Sequence, residues 1–139
     1  MKTTIEHIYT PDLSTLMECP IPYASISAGY PDEICGTIEE YLDLNKHLIK
    51  SPHTTFFLRA AGTTMINAGI SPGDILIVDK KPDLKNKSVV IAIINDEFTV
   101  KRYRSVDGEI YLQDETDGPE TKYYNFEIWG IVTASVHTL

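Results

Sequence analysis

The stretch Phe57–Lys80, FLRAAGTTMINAGISPGDILIVDK, decides how the rest of the chain is read. An apolar run stops at Gly62, and Thr63, Thr64 and Met65 follow. The turn Ser71-Pro72-Gly73 then introduces a second apolar run. Short apolar runs punctuated by glycine and proline are strand signals. Glycine also permits a sharp turn after the first strand. Such a turn can expose the Thr64 hydroxyl and aim consecutive backbone N–H groups at one spot, which suits a nucleophile beside an oxyanion hole. The plainer reading of a hydroxyl after a strand is a cap, here for the turn Met65–Ala68.

Working outward, the strand signals continue. Thr54–Arg59 and Asp74–Asp79 are expected strands, and Ser88–Ile94 is a continuous apolar run expected to be buried on both faces. Asn95-Asp96 marks a tight turn into Glu97–Arg104, and Asp107-Gly108 a hairpin into Glu109–Gln113. Tyr123–Val136 reads as a final strand pair or one bent strand, with a bulge at Gly130. The segment 37–50, TIEEYLDLNKHLIK, has two readings. Thr37 and Glu40 match a helix capping box. Alternatively, Thr37–Leu42 is a strand and Asp43 caps a short helix ending near Ser51-Pro52. The expected fold is mostly β: a compact, antiparallel domain with one or two short helices.

Residues 1–36 differ from the remainder. They hold Pro11, Pro20, Pro22 and Pro31, half of the chain's eight prolines, and their apolar residues follow no sustained period. This composition describes an extended arm lying on a surface rather than a module with its own core. The arm's isoleucines and leucines argue against a wholly solvated tail. The expected organisation is therefore an arm over 1–36 and a β domain over 37–139.

Composition excludes several classes. A net charge of −8 over 139 residues argues against sequence-independent binding to a phosphate backbone. Cys19 and Cys35 make no disulfide framework and point to a reducing, cytoplasmic setting. His7, His47, His53 and His137 lack ligand spacing, so no metal and no other cofactor is expected. No apolar run is long enough to span a membrane.

A second candidate lies in DEFTVKRYR. Alternation sets Thr99 and Lys101 on one face and Phe98 and Val100 on the other. A strand lysine is ordinarily solvated; it becomes a general base only where a dry setting favours the neutral amine. The run Val89–Ile94, across the expected hairpin, could supply that setting. A hydroxyl/lysine pair needs neither histidine nor carboxylate.

Gly62-Thr63-Thr64-Met65, then GISPGDILIVD, then VVIAIINDEFTVKR, resemble in order and spacing the LexA/UmuD family of self-cleaving Ser/Lys peptidases. DLNKHLIKSP adds to the resemblance, which runs from near Ala28 to the final strand. The resemblance implies that Thr64 holds the nucleophile position, that Lys101 is the general base, and that the backbone N–H groups of Thr63 and Thr64 form the oxyanion hole. It implies a LexA/UmuD C-terminal-like β domain that cuts its own arm, with Ala28-Gly29 at the place of cleavage. It further implies a homodimer of the SOS response to DNA damage, partnered by a RecA–single-stranded DNA filament and a UmuC-like translesion DNA polymerase. No sequence-specific DNA contact is implied, and 36 leading residues are too few for a repressor's helix-turn-helix module. Gly29 and Thr64 are 35 peptide steps apart. An extended chain of that length spans about 115 Å, so the arm can reach its own site or a partner's.

Thr64 departs from the family's serine. Its Cβ methyl restricts χ1 and crowds a tight site. Three readings stand at this point: a slower nucleophile, a regulatory dimer that has lost cleavage and only binds polymerase and RecA, or a substitution introduced to stop autolysis.

Overall fold

The computed structural model describes residues 3–14, 16, 18–22, 38–80 and 83–139. They form two compact units: residues up to Pro11 together with Ser51–Leu139, and the segment Asp12–Lys50. The arm boundary expected at residue 36 falls outside the described residues, as do Ala28 and Gly29.

The larger unit is an antiparallel β barrel. Its strands are β1 (Thr4–Tyr9), β4 (Thr55–Ala61), β5 (Ile75–Asp79), β6 (Val89–Ile94), β7 (Glu97–Val106), β8 (Glu109–Gln113), β9 (Lys122–Tyr123) and β10 (Glu127–Val136). The order in the sheet is β1-β4-β5-β10-β6-β7-β8-β9, and β1 also meets β7 through the pair Thr4↔Thr99. That single pair closes six strands into a ring and leaves β8 and β9 as an extension from β7. The mostly β, antiparallel architecture read from the sequence is the architecture found.

The hairpins follow local chemistry. Asn95 and Asp96 lie at φ 52° and 63°, Asp107 and Gly108 at 51° and 80°. Two-residue turns with both residues at positive φ match the right-handed twist of the strands they join. They set the registers Ile94↔Glu97 and Val106↔Glu109. Strand β6 is covered on both faces. Ile91 joins Leu58, Ala60, Met65, Leu76, Val78 and Val100 in one cluster, while Val90, Ala92 and Ile94 join Leu112 in another.

Several boundaries differ from the expectations. Thr54 belongs to a 3₁₀ turn, Pro52–Thr54, so β4 starts at Thr55 and runs on to Ala61. Asp74 is not in β5; its carboxylate accepts from the Ser71 N–H at 2.8 Å and closes the Ser71–Asp74 turn. Strand β9 pairs with β8, whereas β10 lies between β5 and β6, so the two final strands are not partners. The register of β10 against β6 shifts between Ile128 and Gly130. A Cβ at Gly130 would sit 2.7 Å from Val78 Cγ1 and 3.1 Å from the Asp79 carbonyl oxygen. Gly130→Ala should therefore cost about 1–3 kcal/mol by overpacking. Denaturant unfolding should show a lower midpoint with an unchanged slope.

The smaller unit contains β2 (Glu18–Pro22), β3 (Ile38–Asp43) and helix α1 (Leu44–Leu48), with β2 and β3 antiparallel. The second reading of 37–50 is the one found. Asp43 is the N-cap, accepting from the Asn45 N–H at 3.3 Å. No described helix is long and apolar enough to cross a membrane.

Strand β1 was not expected as a strand, and residues 3–11 fold with the barrel. Its register against β4 shifts between Ile5 and His7. The shift breaks the two-residue alternation by which a strand is recognised.

Candidate active site

Thr64 follows Gly62, which takes φ 83° at the end of β4. Only glycine adopts that backbone without strain. The chain then turns through a 3₁₀ segment, Ile66–Ala68, whose N-cap is Met65 with no side-chain capping bond. Thr64 is thus not a helix cap. Its hydroxyl accepts from the Thr3 N–H at 2.8 Å and donates to Thr3 Oγ1 at 3.0 Å. The Thr3 carbonyl in turn accepts from Thr99 Oγ1 at 2.8 Å. Thr63 is exposed on the same turn, and its carbonyl accepts from the Ile66 N–H.

Lys101 lies in the middle of β7 opposite Val90 and is 0% exposed. The solvated-strand reading of this lysine therefore fails. An ammonium so placed needs a partner, because an isolated buried charge is very costly. The partner is Asp114, which is 11% exposed and forms a short ion pair and hydrogen bond with Lys101 Nζ. The other Asp114 oxygen accepts from Tyr123 OH at 3.2 Å. The Tyr123 ring lies 4.7 Å from the ammonium, measured to its centroid, within cation–π range. Burial, then the Asp114 charge, then the hydrogen bond to Asp114 raise the Tyr123 phenol above its ordinary value. It stays a donor well into the alkaline range.

Thr64 and Lys101 are linked by one short piece of chain. The Glu115 N–H donates to the Thr64 carbonyl at 2.9 Å, and the next residue back, Asp114, holds Lys101. The Glu115 carbonyl accepts from the Asn67 N–H at 2.8 Å, which fixes the other side of the Thr64 turn. A second link runs through β7. Thr99, which holds Thr3, is two positions from Lys101, and such residues share a strand face about 7 Å apart. Neighbouring Arg102 pairs with Glu115 at 3.0 Å and donates to the Lys87 carbonyl at 2.7 Å, so it braces the same loop. The described hydrogen bonds of the two candidate side chains go to Thr3 and to Asp114, respectively, rather than to each other.

Asp114, Tyr123, Thr99 and Thr3 did not stand out in the sequence. Asp114 could have been found by counting back from the Asp107-Gly108 turn. The ladder pairs Arg102 with Gln113, and the next position on each side gives Lys101 and Asp114. The other three carry no comparable signal.

The barrel thus carries a hydroxyl after β4 and a buried amine on β7, joined through the 114–115 segment. The family described as Peptidase S24-like matches residues 20–133, and the chain belongs to it. Within that family its relatives are of the UmuD/LexA type. The chain is 40% identical over 113 residues to protein ImpA of Salmonella typhimurium, an alignment covering 79% of this chain and 77% of that protein. It is 34% identical over 129 residues to protein MucA of Salmonella typhimurium, covering 88% and 87%. It is 36% identical over 112 residues to the LexA repressor of Clostridium kluyveri, covering 81% of this chain and 55% of the repressor.

Proposed function

We propose that this protein is a UmuD-like member of the DNA-damage response that cuts its own arm between Ala28 and Gly29. The observation that carries this reading is the fully buried Lys101 amine. Its ion-pair partner adjoins the residue whose N–H holds the Thr64 carbonyl. Burying a lysine in a strand with its own carboxylate is an expensive way to stabilise a barrel. It is the arrangement expected where the amine has chemistry to perform.

In the reaction, Lys101 works as the neutral amine after its extra proton passes to Asp114 or to solvent. Thr64 Oγ1 attacks the Ala28 carbonyl carbon while its proton moves to Lys101. Backbone N–H groups of Thr63 and Thr64 stabilise the oxyanion. The tetrahedral intermediate collapses with cleavage of the Ala28–Gly29 bond, and Lys101 returns the proton to the departing Gly29 amine. The resulting Ala28 ester on Thr64 is hydrolysed by water that Lys101 deprotonates. The arm over 1–36 thus supplies the substrate and the domain over 37–139 the chemistry. A RecA–single-stranded DNA filament promotes docking of the arm, and the shortened homodimer binds a translesion DNA polymerase in the cytoplasm. No metal or other cofactor takes part.

Purified chain incubated at alkaline pH, and separately with activated RecA filament, should yield a fragment beginning at Gly29 by mass spectrometry. An intact mass under both conditions overturns self-cleavage. The engagement of the Thr64 hydroxyl by Thr3 favours a second reading, in which the intact dimer acts only as a polymerase- and RecA-binding regulator. Capture of a UmuC-like polymerase by uncut Thr64→Ala protein would support that reading.

A further inference from the structure

The contacts around Thr3 say what occupies the seam of the barrel beside Thr64. Residues 4–9 lie against β4 through five register pairs, Thr4↔Ala61 to Tyr9↔Phe57. They meet β7 at Thr4↔Thr99 alone. At the head of the strand, Thr3 is fully buried. Its N–H and side-chain oxygen both bond the Thr64 hydroxyl, and its carbonyl is held by Thr99. The hydroxyl thus donates its proton to Thr3 and accepts the Thr3 N–H. A nucleophile in that state has one lone pair occupied and its proton directed to Thr3 rather than to Lys101.

The same strand is weakly anchored. Among its described side chains only Ile5 packs on the core cluster, while Ile8 and Tyr9 are 44% and 45% exposed. Held by Ile5, the Thr3 hydrogen bonds and a ladder on one main side, this strand buries less apolar surface than β5 or β6 and is expected to open before them.

We infer that the seam between β4 and β7 is a strand-acceptor site for an extended peptide. Residues 3–9 of the chain are its resident occupant, and they hold Thr64 off until they leave. Main-chain pairing to β4 supplies affinity in the manner of strand addition, and Thr99 and Thr64 read the head of the peptide through its carbonyl and N–H. Two of the three contacts are to the Thr3 backbone and one is to its side-chain oxygen, so the main-chain part of the site suits other extended segments. The segment to be cut can take the same place once the resident strand has gone. This inference rests on the self-cleavage reading for its consequence but not for its geometry.

The test uses the full chain with Cys19 and Cys35 replaced by serine, carrying Tyr9→Cys and Phe57→Cys. These positions are register partners at the end of β1 away from Thr64. Oxidation should cross-link them readily, because paired strand positions fall in the Cα range a disulfide needs. Cleavage to the fragment beginning at Gly29 should be at least about tenfold slower in the oxidised chain, and reductant should restore it. In the chain without the added cysteines, amides of residues 3–9 should exchange with deuterium at least about tenfold sooner than those of β5 and β6. Failure to cross-link, or equal cleavage rates with and without reductant, overturns the inference. If neither form cleaves, the self-cleavage reading fails and hydrogen exchange decides alone. Early exchange then upholds a displaceable strand, and exchange only on global unfolding overturns it.

Discussion

Lys101→Met should abolish the fragment beginning at Gly29 and also destabilise the barrel by about 3–5 kcal/mol. The first effect follows from the proposed mechanism, in which the Lys101 amine takes the Thr64 proton. The second follows from burial. Lys101 is wholly buried and Asp114 nearly so. Removing one partner of such a pair strands the other's charge where water cannot solvate it. Tyr123 OH would remain as a donor to Asp114, which is not enough to offset a full charge. The two effects separate in a second variant. Lys101→Met with Asp114→Leu and Tyr123→Phe removes the whole polar cluster, and apolar replacements of similar volume are often neutral or stabilising. Denaturant unfolding should show stability recovered, while mass spectrometry still shows no cleavage. If the triple variant stays as unstable as the single one, the cluster contributes to stability through specific geometry rather than through a stranded charge. If Lys101→Met still cleaves, the lysine is not the base.

What could be read from the sequence tracks how local the governing interaction is. The β6–β7–β8 meander was readable because its turns are encoded by adjacent residues, Asn95-Asp96 and Asp107-Gly108, and the first follows directly on the apolar run Val89–Ile94. The dryness around Lys101 followed from the same hairpin, since Val90 is its register partner. Strand β1 was not readable. Its partner β4 is some fifty residues away, and the shift between Ile5 and His7 erases its alternation. The capping box Thr37/Glu40 and the Asp43 cap competed on local terms alone. Pairing of β2 with β3, from Glu18↔Asp43 to Pro22↔Ile38, accompanies the strand-then-helix outcome, and no local signal contains that pairing. At the site, the family resemblance pointed to Thr64 and Lys101 but was silent on Asp114. The carboxylate matters physically, because a lysine bonded to it must shed a proton before acting as a base. The resident Thr3 matters for the same reason on the hydroxyl side. Both halves of the candidate pair are engaged elsewhere, which under the proposed function corresponds to the uncut, resting state.

Thr64→Ser should accelerate self-cleavage, by as much as about 100-fold. The argument is steric. In the folded chain the Thr64 hydroxyl already has two bonds to Thr3, and its Cβ methyl must occupy the remaining staggered space at the end of β4. Under the proposed mechanism Oγ1 must leave Thr3 to attack a carbonyl carbon, and the methyl on the same Cβ then has to be accommodated beside the peptide and the oxyanion donors. A displacement near 1 Å from the attack geometry costs about 10²-fold in rate. Serine has the same hydroxyl and no methyl, so it reaches the productive rotamer freely. Stability should fall by about 0.8 kcal/mol or less, the value of one methyl-sized group at a half-buried position. Time courses of the fragment beginning at Gly29, taken at one alkaline pH for both forms, measure the ratio directly. A serine variant that cleaves while the threonine form stays intact identifies the methyl as the block and makes this chain a regulator by default. Equal rates remove the steric argument and leave departure of Thr3 from the hydroxyl as the slow step. The oxidised cross-linked chain carrying Thr64→Ser should then cut no faster than its threonine counterpart.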